Sequence, residues 1–173
     1  MKLPKTVKPE LCASSDETRM SIVNPWTVKD GEETFLVATD GRKMVRFPVA
    51  LDEGEDPGPV PCKAFELARK ECNSRNREAS IHANGVITLS SGATLPRPTG
   101  FNPPNYAQVW PAKDRPVNFK VCLDAELLVE MQKSAGAKGC LLEFEDAEGC
   151  IKVRFSSPAI PGTEGLLMPM RLS

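Results

Sequence analysis

The stretch Phe35-Leu-Val-Ala-Thr-Asp-Gly-Arg-Lys-Met44 decides the interpretation of this chain. Residues with strand preference lead into Thr39-Asp-Gly41, and a second strand-like segment, residues 44–47, follows. Asp40 can hydrogen-bond its own backbone, and Gly41 can adopt the positive φ that a tight turn needs. The stretch therefore predicts a β-hairpin.

The chain around the hairpin predicts a β-meander. Its strand-like segments are residues 20–28, 34–38 and 43–49. The acidic, proline- and glycine-rich residues 52–59 cannot continue a central strand. Residues 1–15 contain two prolines in a basic stretch, which predicts an extended arm rather than a helix. We expect residues 1–56 to form one unit.

The middle third predicts a helix followed by three strands. A proline opens residues 61–73, and Phe65, Ala68 and Cys72 recur there at helical spacing to form one apolar stripe. The predicted strands are residues 79–82, 86–89 and 93–95, followed by a proline-rich loop at 96–106. We expect residues 57–113 to form a βαβββ unit.

The last third, residues 114–173, repeats this order. Asp124 is a good helix N-cap with Glu126 in the first turn, and Gly136 closes the helix. The predicted strands are residues 118–123, 141–145, 151–155 and 166–170. Repeated βαβββ units with two helices packed on antiparallel sheets predict an α+β fold.

Composition limits the classes of function. A formal net charge of -1 gives no global attraction to nucleic acid or to acidic membranes, so any DNA contact needs a local basic patch. The chain lacks a secretory leader and a run of about 20 apolar residues, which predicts a cytoplasmic protein with reduced thiols and no membrane contact.

Catalytic and metal-binding patterns are weak. The cysteines occur singly, and the one histidine, His82, lies ten residues after Cys72, which argues against a zinc site; we expect no metal and no cofactor. A hydrolase could use only His82 as the base for a serine or cysteine, and this remains an alternative hypothesis. Solvated turns explain the carboxylates at 52–56 and 143–148, so the chain does not resemble an enzyme.

Basic residues gather on and after the first predicted helix. They are Lys63, Arg69, Lys70, Arg75 and Arg77. Such a group can contact DNA phosphates without reading sequence. Glu66, Glu71 and Glu78 make an ordinary solvated face an equal alternative.

Apolar residues in turns and at strand ends form a second candidate site. They are Met44, Pro104, Tyr106, Val109, Trp110, Leu166, Met168 and Met170. Methionines on an adaptable surface often receive apolar side chains of a partner. Packing in the core is the alternative for each residue.

Four segments, in order, resemble the bacterial sliding clamp, the β subunit of the replicative polymerase. Ala38-Thr-Asp-Gly-Arg-Lys-Met44 resembles the clamp signature Ala-Thr-Asp-Gly-His-Arg-Leu, and Leu167-Met-Pro-Met-Arg-Leu172 resembles the clamp C-terminus. Ser14-Ser-Asp-Glu-Thr-Arg19 and Phe101-Asn-Pro-Pro-Asn-Tyr-Ala-Gln-Val-Trp-Pro111 resemble the opening and closing segments of the clamp middle domain. The resemblance implies a DNA-clamp-like fold.

The chain is under half the length of a normal clamp. Residues 12–113 resemble the middle domain without its first helix, and residues 117–172 resemble the second half of the last domain. In clamps, helices line the DNA hole and sheets lie outside. Because two helices cannot enclose a duplex, a ring would require a homo-oligomer.

The resemblance also implies a groove that receives short peptide motifs of polymerases and repair proteins. The corresponding residues are Thr39, Gly41, Arg42, Lys43, Met44, Pro104, Val109, Leu166, Met168, Pro169, Met170 and Arg171. Arg42 stands where clamps usually have His, and Lys43 stands where they usually have Arg. Lys43 keeps the positive charge but lacks the planar guanidinium that pairs with two acceptor atoms at once.

The function implied is that of a replication accessory protein, a processivity-factor-like clamp without enzymatic activity. Its expected partners are clamp-binding peptides of DNA polymerase or repair proteins and, in an oligomer, double-stranded DNA bound non-specifically. A monomeric adaptor or decoy that competes for clamp clients without binding DNA is the alternative.

Overall fold

The computed structural model describes residues 1–108, 120–144, 149–157 and 161–170, which divide into two units, Met1–Trp110 and Pro111–Ser173. The first unit contains β1 (Lys2–Pro4), β2 (Trp26–Asp30), β3 (Glu33–Thr39), β4 (Met44–Pro48), β5 (Gly58–Pro59), α1 (Cys62–Glu71), β6 (Glu78–Asn84), β7 (Val86–Leu89) and β8 (Thr94–Pro96). The second unit contains α2 (Ala125–Ser134), β9 (Gly139–Glu143), β10 (Ile151–Ser156) and β11 (Glu164–Leu167). Two α-helices and antiparallel sheets in the described residues confirm the predicted α+β class.

The predicted hairpin is formed by β3 and β4. Thr39 pairs with Met44 next to the turn, and Phe35 pairs with Pro48 at the other end. The preceding strand begins at Trp26 rather than at residue 20. The N–H groups of Ile22 and Val23 both donate to the carbonyl of Arg19, so a turn occupies the start of the predicted strand.

Each of the two sheets of the first unit contains strands that lie far apart in the chain. One sheet has the strand order β4-β3-β2-β5, and the other has the order β1-β6-β7-β8. The predicted N-terminal arm therefore contributes an edge strand, with Leu3 opposite Ala79, and then a 3-10 turn at Pro9–Cys12. The short strand β5 returns to pair with β2. Residues on both sides of the 56–57 boundary thus contribute to both sheets.

The β4-β3-β2-β5 sheet separates two apolar clusters because neighbouring side chains of β3 point to opposite faces. Leu36 belongs to the cluster that includes Phe65 of α1 and Ile81 of β6. Phe35 and Val37 belong to the second cluster, whose other members are Trp26, Val28 and Tyr106. Each fully buried side chain of this kind stabilises the fold by about 1.5–3 kcal/mol.

The second unit is one helix on a three-stranded sheet. Asp124 caps α2 as predicted, because its Oδ1 accepts a hydrogen bond of 2.8 Å from the N–H of Glu126. Ile151, Val153 and Leu167 form the buried apolar cluster of this unit among the described residues. The unit therefore has a small core.

Two strand predictions for this unit differ from the structure. Strand β11 ends at Leu167 instead of residue 170, since Pro169 lacks the N–H that would continue the ladder. Met170 returns through a single bridge to Cys122, which is the one pairing within the described part of the predicted strand 118–123. No helix in the described ranges is long and apolar enough to cross a membrane.

Candidate functional site

The turn between β3 and β4 is fixed by two of its own side chains. The hydroxyl of Thr39, a residue only 6% exposed, donates to the carbonyl of Lys43 at 2.7 Å and accepts from the N–H of Gly41 at 3.0 Å. Asp40 Oδ1 accepts from the N–H groups of Arg42 and Lys43 at 2.8 and 3.0 Å. These backbone donors lower the pKa of the Asp40 carboxyl. Gly41 has φ +87°, as the predicted turn requires.

This turn presents cations beside an apolar side chain. The side chains of Arg42 and Lys43 are exposed, and Lys43 Nζ lies 3.8 Å from Asp40 Oδ2. Met44 is half-buried and packs against the cluster that contains Phe35 and Tyr106. We call Thr39, Gly41, Arg42, Lys43 and Met44 the turn surface.

Arg19 braces the turn surface, and the sequence did not assign it this role. Its Nη1 donates to the carbonyl of Asp40 at 2.8 Å. A Cβ atom at Gly41 would lie only 2.7 Å from Arg19 Nη2, so the guanidinium lies directly against the turn. The segment 14–19, which carries part of the clamp resemblance, is the signal in the sequence for this role.

The proline-rich loop is held by Tyr106. This ring is buried against Trp26 and Phe35, and burial raises the pKa of its hydroxyl. The N–H of Tyr106 donates to the carbonyl of Pro104 at 2.8 Å, which fixes the half-buried Pro104. Tyr106 is thus a core residue. Val109 and Trp110 lie outside the described residues.

The end of β11 exposes a row of apolar side chains that we call the methionine strip. Leu166, Met168 and Met170 are 69%, 62% and 52% exposed, whereas Leu167 between them is 4% exposed. The two-residue period of an extended chain explains this alternation. Pro169 is half-buried, and Arg171 lies outside the described residues. Within the second unit these three side chains are therefore not packed in the core, which was the alternative for them.

The basic residues of the first unit differ in their exposure and in whether they form an ion pair with an acidic side chain. Arg69 makes a two-point ion pair with Glu10, and both side chains are largely buried. Lys63 pairs with Glu66 at 3.0 Å on the helix surface. The other three basic residues of the predicted patch, Lys70, Arg75 and Arg77, have exposed side chains that can contact phosphate.

The N-terminal segment adds cations that the sequence interpretation missed. Lys5 and Lys8 line a surface depression of about 620 Å³ together with Arg69 and Lys70, and the carboxylates of Glu10 and Glu66 line it as well. Lys5 also lines a neighbouring depression of about 540 Å³ with Arg77. The signal was the basic character of residues 1–15, which the assignment to a separate arm obscured.

The hydrolase hypothesis requires a serine or cysteine nucleophile beside His82, and the described residues do not supply one. His82 Nδ1 lies 3.3 Å from Asp52 Oδ2 and 3.3 Å from Glu55 Oε1, and in the described part of the chain it is hydrogen-bonded to no serine or cysteine. Burial raises the pKa of the Cys62 thiol to about 11, so this thiol is not a thiolate at neutral pH.

Comparison with solved structures identifies a common fold. The chain is similar to the DNA polymerase III beta chain of Streptococcus pneumoniae, with 17% identity and a TM-score of 0.69 over 99% of this chain and 49% of that one. The beta subunit of Streptococcus pyogenes gives 15% identity and a TM-score of 0.67 over 99% and 50%. The sliding clamp of Bacillus subtilis gives 17% and 0.66 over 98% and 48%.

These comparisons confirm the sliding-clamp resemblance at the level of the fold. The chain spans about half the length of the clamp chains that it matches. No protein-family model matches the sequence, and no curated protein is similar to it.

Proposed function

We propose that this chain is a shortened, non-enzymatic sliding-clamp-like protein that binds the clamp-binding peptide motifs of DNA polymerases or repair proteins. The methionine strip is the observation that supports this proposal, because three exposed apolar side chains in one row favour contact with a partner. The chain also has the fold of proteins named as sliding clamps and polymerase subunits.

The turn surface of the first unit is a second proposed contact for a peptide motif. Arg42 and Lys43 offer positive charge on a backbone that Thr39 and Asp40 hold rigid, so little conformational entropy is lost when a peptide binds. We propose that these cations contact an acidic group of a peptide motif.

The test is a titration of a fluorescent polymerase-tail peptide against the wild-type chain and a Met168→Ala, Met170→Ala double variant. Loss of two apolar anchors should cost about 2 kcal/mol together, or a roughly thirtyfold weaker Kd. Leu141→Ala is the matched control, because Leu141 is 59% exposed on β9 of the same unit but outside the methionine strip. Equal affinity of the double variant and the wild type would reject the site.

We propose that DNA binding, if the chain assembles, uses the exposed Lys70, Arg75 and Arg77 together with Lys5 and Lys8. Such contacts are non-specific and sensitive to salt. Light scattering with and without duplex DNA tests the homo-oligomeric ring. A strict monomer at high concentration would reject the ring and leave the peptide-binding proposal intact.

The second candidate function is a monomeric adaptor that competes for clamp clients without binding DNA. Two observations favour it. The ion pair with Glu10 neutralises Arg69, and the exposed face of α2 carries Glu126 and Glu130 against Lys133. Peptide binding with a DNA affinity no greater than that of a neutral control protein would support this second function.

A further inference from the structure

The methionine strip contains the two most exposed methionines of the chain. All six methionines lie in the described residues, and the side chains of Met168 and Met170 are 62% and 52% exposed. The other four are less exposed: Met20 at 47%, the half-buried Met44 and Met131, and Met1 at 1%. Because a dissolved oxidant reaches exposed thioethers first, the two methionines of the strip are the ones most open to oxidation.

Backbone pairing holds both sulfur atoms at the surface of the second unit. Leu167, which is 4% exposed, pairs with Ile151 of β10, so the next residue, Met168, points to the opposite, open face. The N–H of Met170 donates to the carbonyl of Cys122 at 2.8 Å. Turning either methionine into the core of the second unit would therefore require breaking this pairing.

A third accessible sulfur lies against the strip. Cys150 directly precedes β10, and its thiol donates a hydrogen bond of 3.0 Å to Met168 Sδ. All six cysteines lie in the described residues, and Cys150 is the one whose side chain is exposed. The exposed cysteine and the two most exposed methionines of the chain thus share one surface.

We propose that the methionine strip is a redox-sensitive switch, in which a peroxide oxidises Met168 and Met170 to methionine sulfoxide. In each reaction the sulfur lone pair attacks one oxygen of hydrogen peroxide, an S–O bond forms, the O–O bond breaks and water leaves. The thioether loses two electrons and the peroxide gains them, so the reaction needs no other reactant. Methionine sulfoxide reductases reverse this oxidation, so the strip can return to its apolar state.

The switch rests on the proposed function of the strip as a peptide-binding surface and adds a means of regulating it. A sulfoxide is polar, so covering it with apolar side chains of a peptide costs free energy unless it receives a hydrogen bond. Leu166 would be the one apolar side chain of the strip left after oxidation. We expect oxidation to weaken the Kd at least as much as the Met168→Ala, Met170→Ala change does, or roughly thirtyfold.

The experiment titrates the fluorescent polymerase-tail peptide against the full chain before and after treatment with hydrogen peroxide. Dithiothreitol then restores the reversibly oxidised thiols but not the methionines, and mass spectrometry locates the added oxygen atoms. We expect the loss of affinity to follow the formation of sulfoxide at residues 168 and 170. Circular dichroism should show an unchanged fold, because both side chains are exposed. Methionine sulfoxide reductases should then restore the affinity.

Three variants, each compared with itself before oxidation, assign the effect to particular sulfur atoms. The Met168→Leu, Met170→Leu double variant cannot form these sulfoxides and should keep its own starting affinity after peroxide treatment. Met20→Leu removes the third exposed methionine, which lies outside the strip, and should lose affinity as the wild type does. Cys150→Ser removes the neighbouring thiol and should also remain sensitive to peroxide.

The proposal is overturned by equal losses of affinity in the wild type and the double leucine variant, or by protection in Cys150→Ser. Peptide binding that survives complete oxidation of residues 168 and 170, or that the reductases do not restore after removing both oxygen atoms, would overturn it as well. These results leave the peptide-binding proposal intact, because each is a change from binding by the reduced chain. A reduced chain that binds no peptide would instead reject the proposed function, and the switch with it.

Discussion

Replacing Thr39 by Val separates the turn's role in stability from its role in peptide binding. Valine keeps the shape and strand preference of threonine but removes the hydroxyl, which makes hydrogen bonds of 2.7 and 3.0 Å. Each such bond contributes about 0.5–1.5 kcal/mol net, so the free energy of unfolding should fall by about 1–3 kcal/mol.

The same sheet contains a matched control. Thr27 is also buried, and its hydroxyl donates to the carbonyl of Gly58 at 3.1 Å and accepts from the N–H of Gly58 at 3.0 Å. Thr27→Val therefore removes two equivalent hydrogen bonds between β2 and β5, away from the turn surface. We expect a similar loss of stability.

Peptide affinity should distinguish the two variants. A turn that is no longer fixed must be ordered on binding, so Thr39→Val should weaken the Kd by about 1 kcal/mol, roughly fivefold. Thr27→Val should bind peptide as the wild type does. Urea unfolding followed by tryptophan fluorescence gives the stabilities, and peptide anisotropy gives the affinities. An unchanged stability of Thr39→Val would refute the hydrogen-bond argument, and equal peptide affinity of the two variants would refute the role of the turn.

Three further predictions concern packing, pH and charge. A Cβ at Gly165 would lie 2.4 Å from Met131 Cε, the far end of a flexible side chain that can turn aside, so Gly165→Ala should lower the free energy of unfolding in urea by less than about 1 kcal/mol. The pKa of Asp40 is lower in the folded state than in the unfolded state. Its contribution to stability is therefore complete above the unfolded pKa of about 3.9 and is lost as the pH falls through the folded pKa. Asp40→Asn should make the free energy of unfolding less dependent on pH in that range. Lys70→Gln should reduce the slope of log DNA affinity against log salt concentration by about one unit. Arg69→Gln should mainly lower the free energy of unfolding, by about 1–3 kcal/mol, because it leaves the largely buried Glu10 unpaired.

Local signals in the sequence predicted the elements whose causes are local. Asp40 and Gly41 specify the hairpin turn, and Asp124 specifies the start of α2, because each acts on backbone groups within three residues. Strands β1 and β5 were missed, since two or three residues carry no periodic pattern and their partners are distant in the chain.

The candidate sites show the same division. The sequence identified Met168 and Met170, but only the alternation about the buried Leu167 shows that they are exposed. The sequence predicts that Arg69 contacts phosphate, because Glu10 is far from it in the chain and the ion pair between them depends on tertiary structure. The burial of Glu55 beside His82 also depends on the fold, since an acidic loop is normally solvated.

The pairing of β1 with β6 has a consequence for the order of folding during synthesis. Residues 2–4 leave the ribosome long before their partners, residues 78–80. Until then β1 is unpaired, and β6, when it appears, has an open edge that another chain can join. Closing so long a loop is slow, so we expect the pairing of β1 with β6 to limit the rate at which the first unit refolds. A chain without residues 1–4 should skip that step and aggregate more readily.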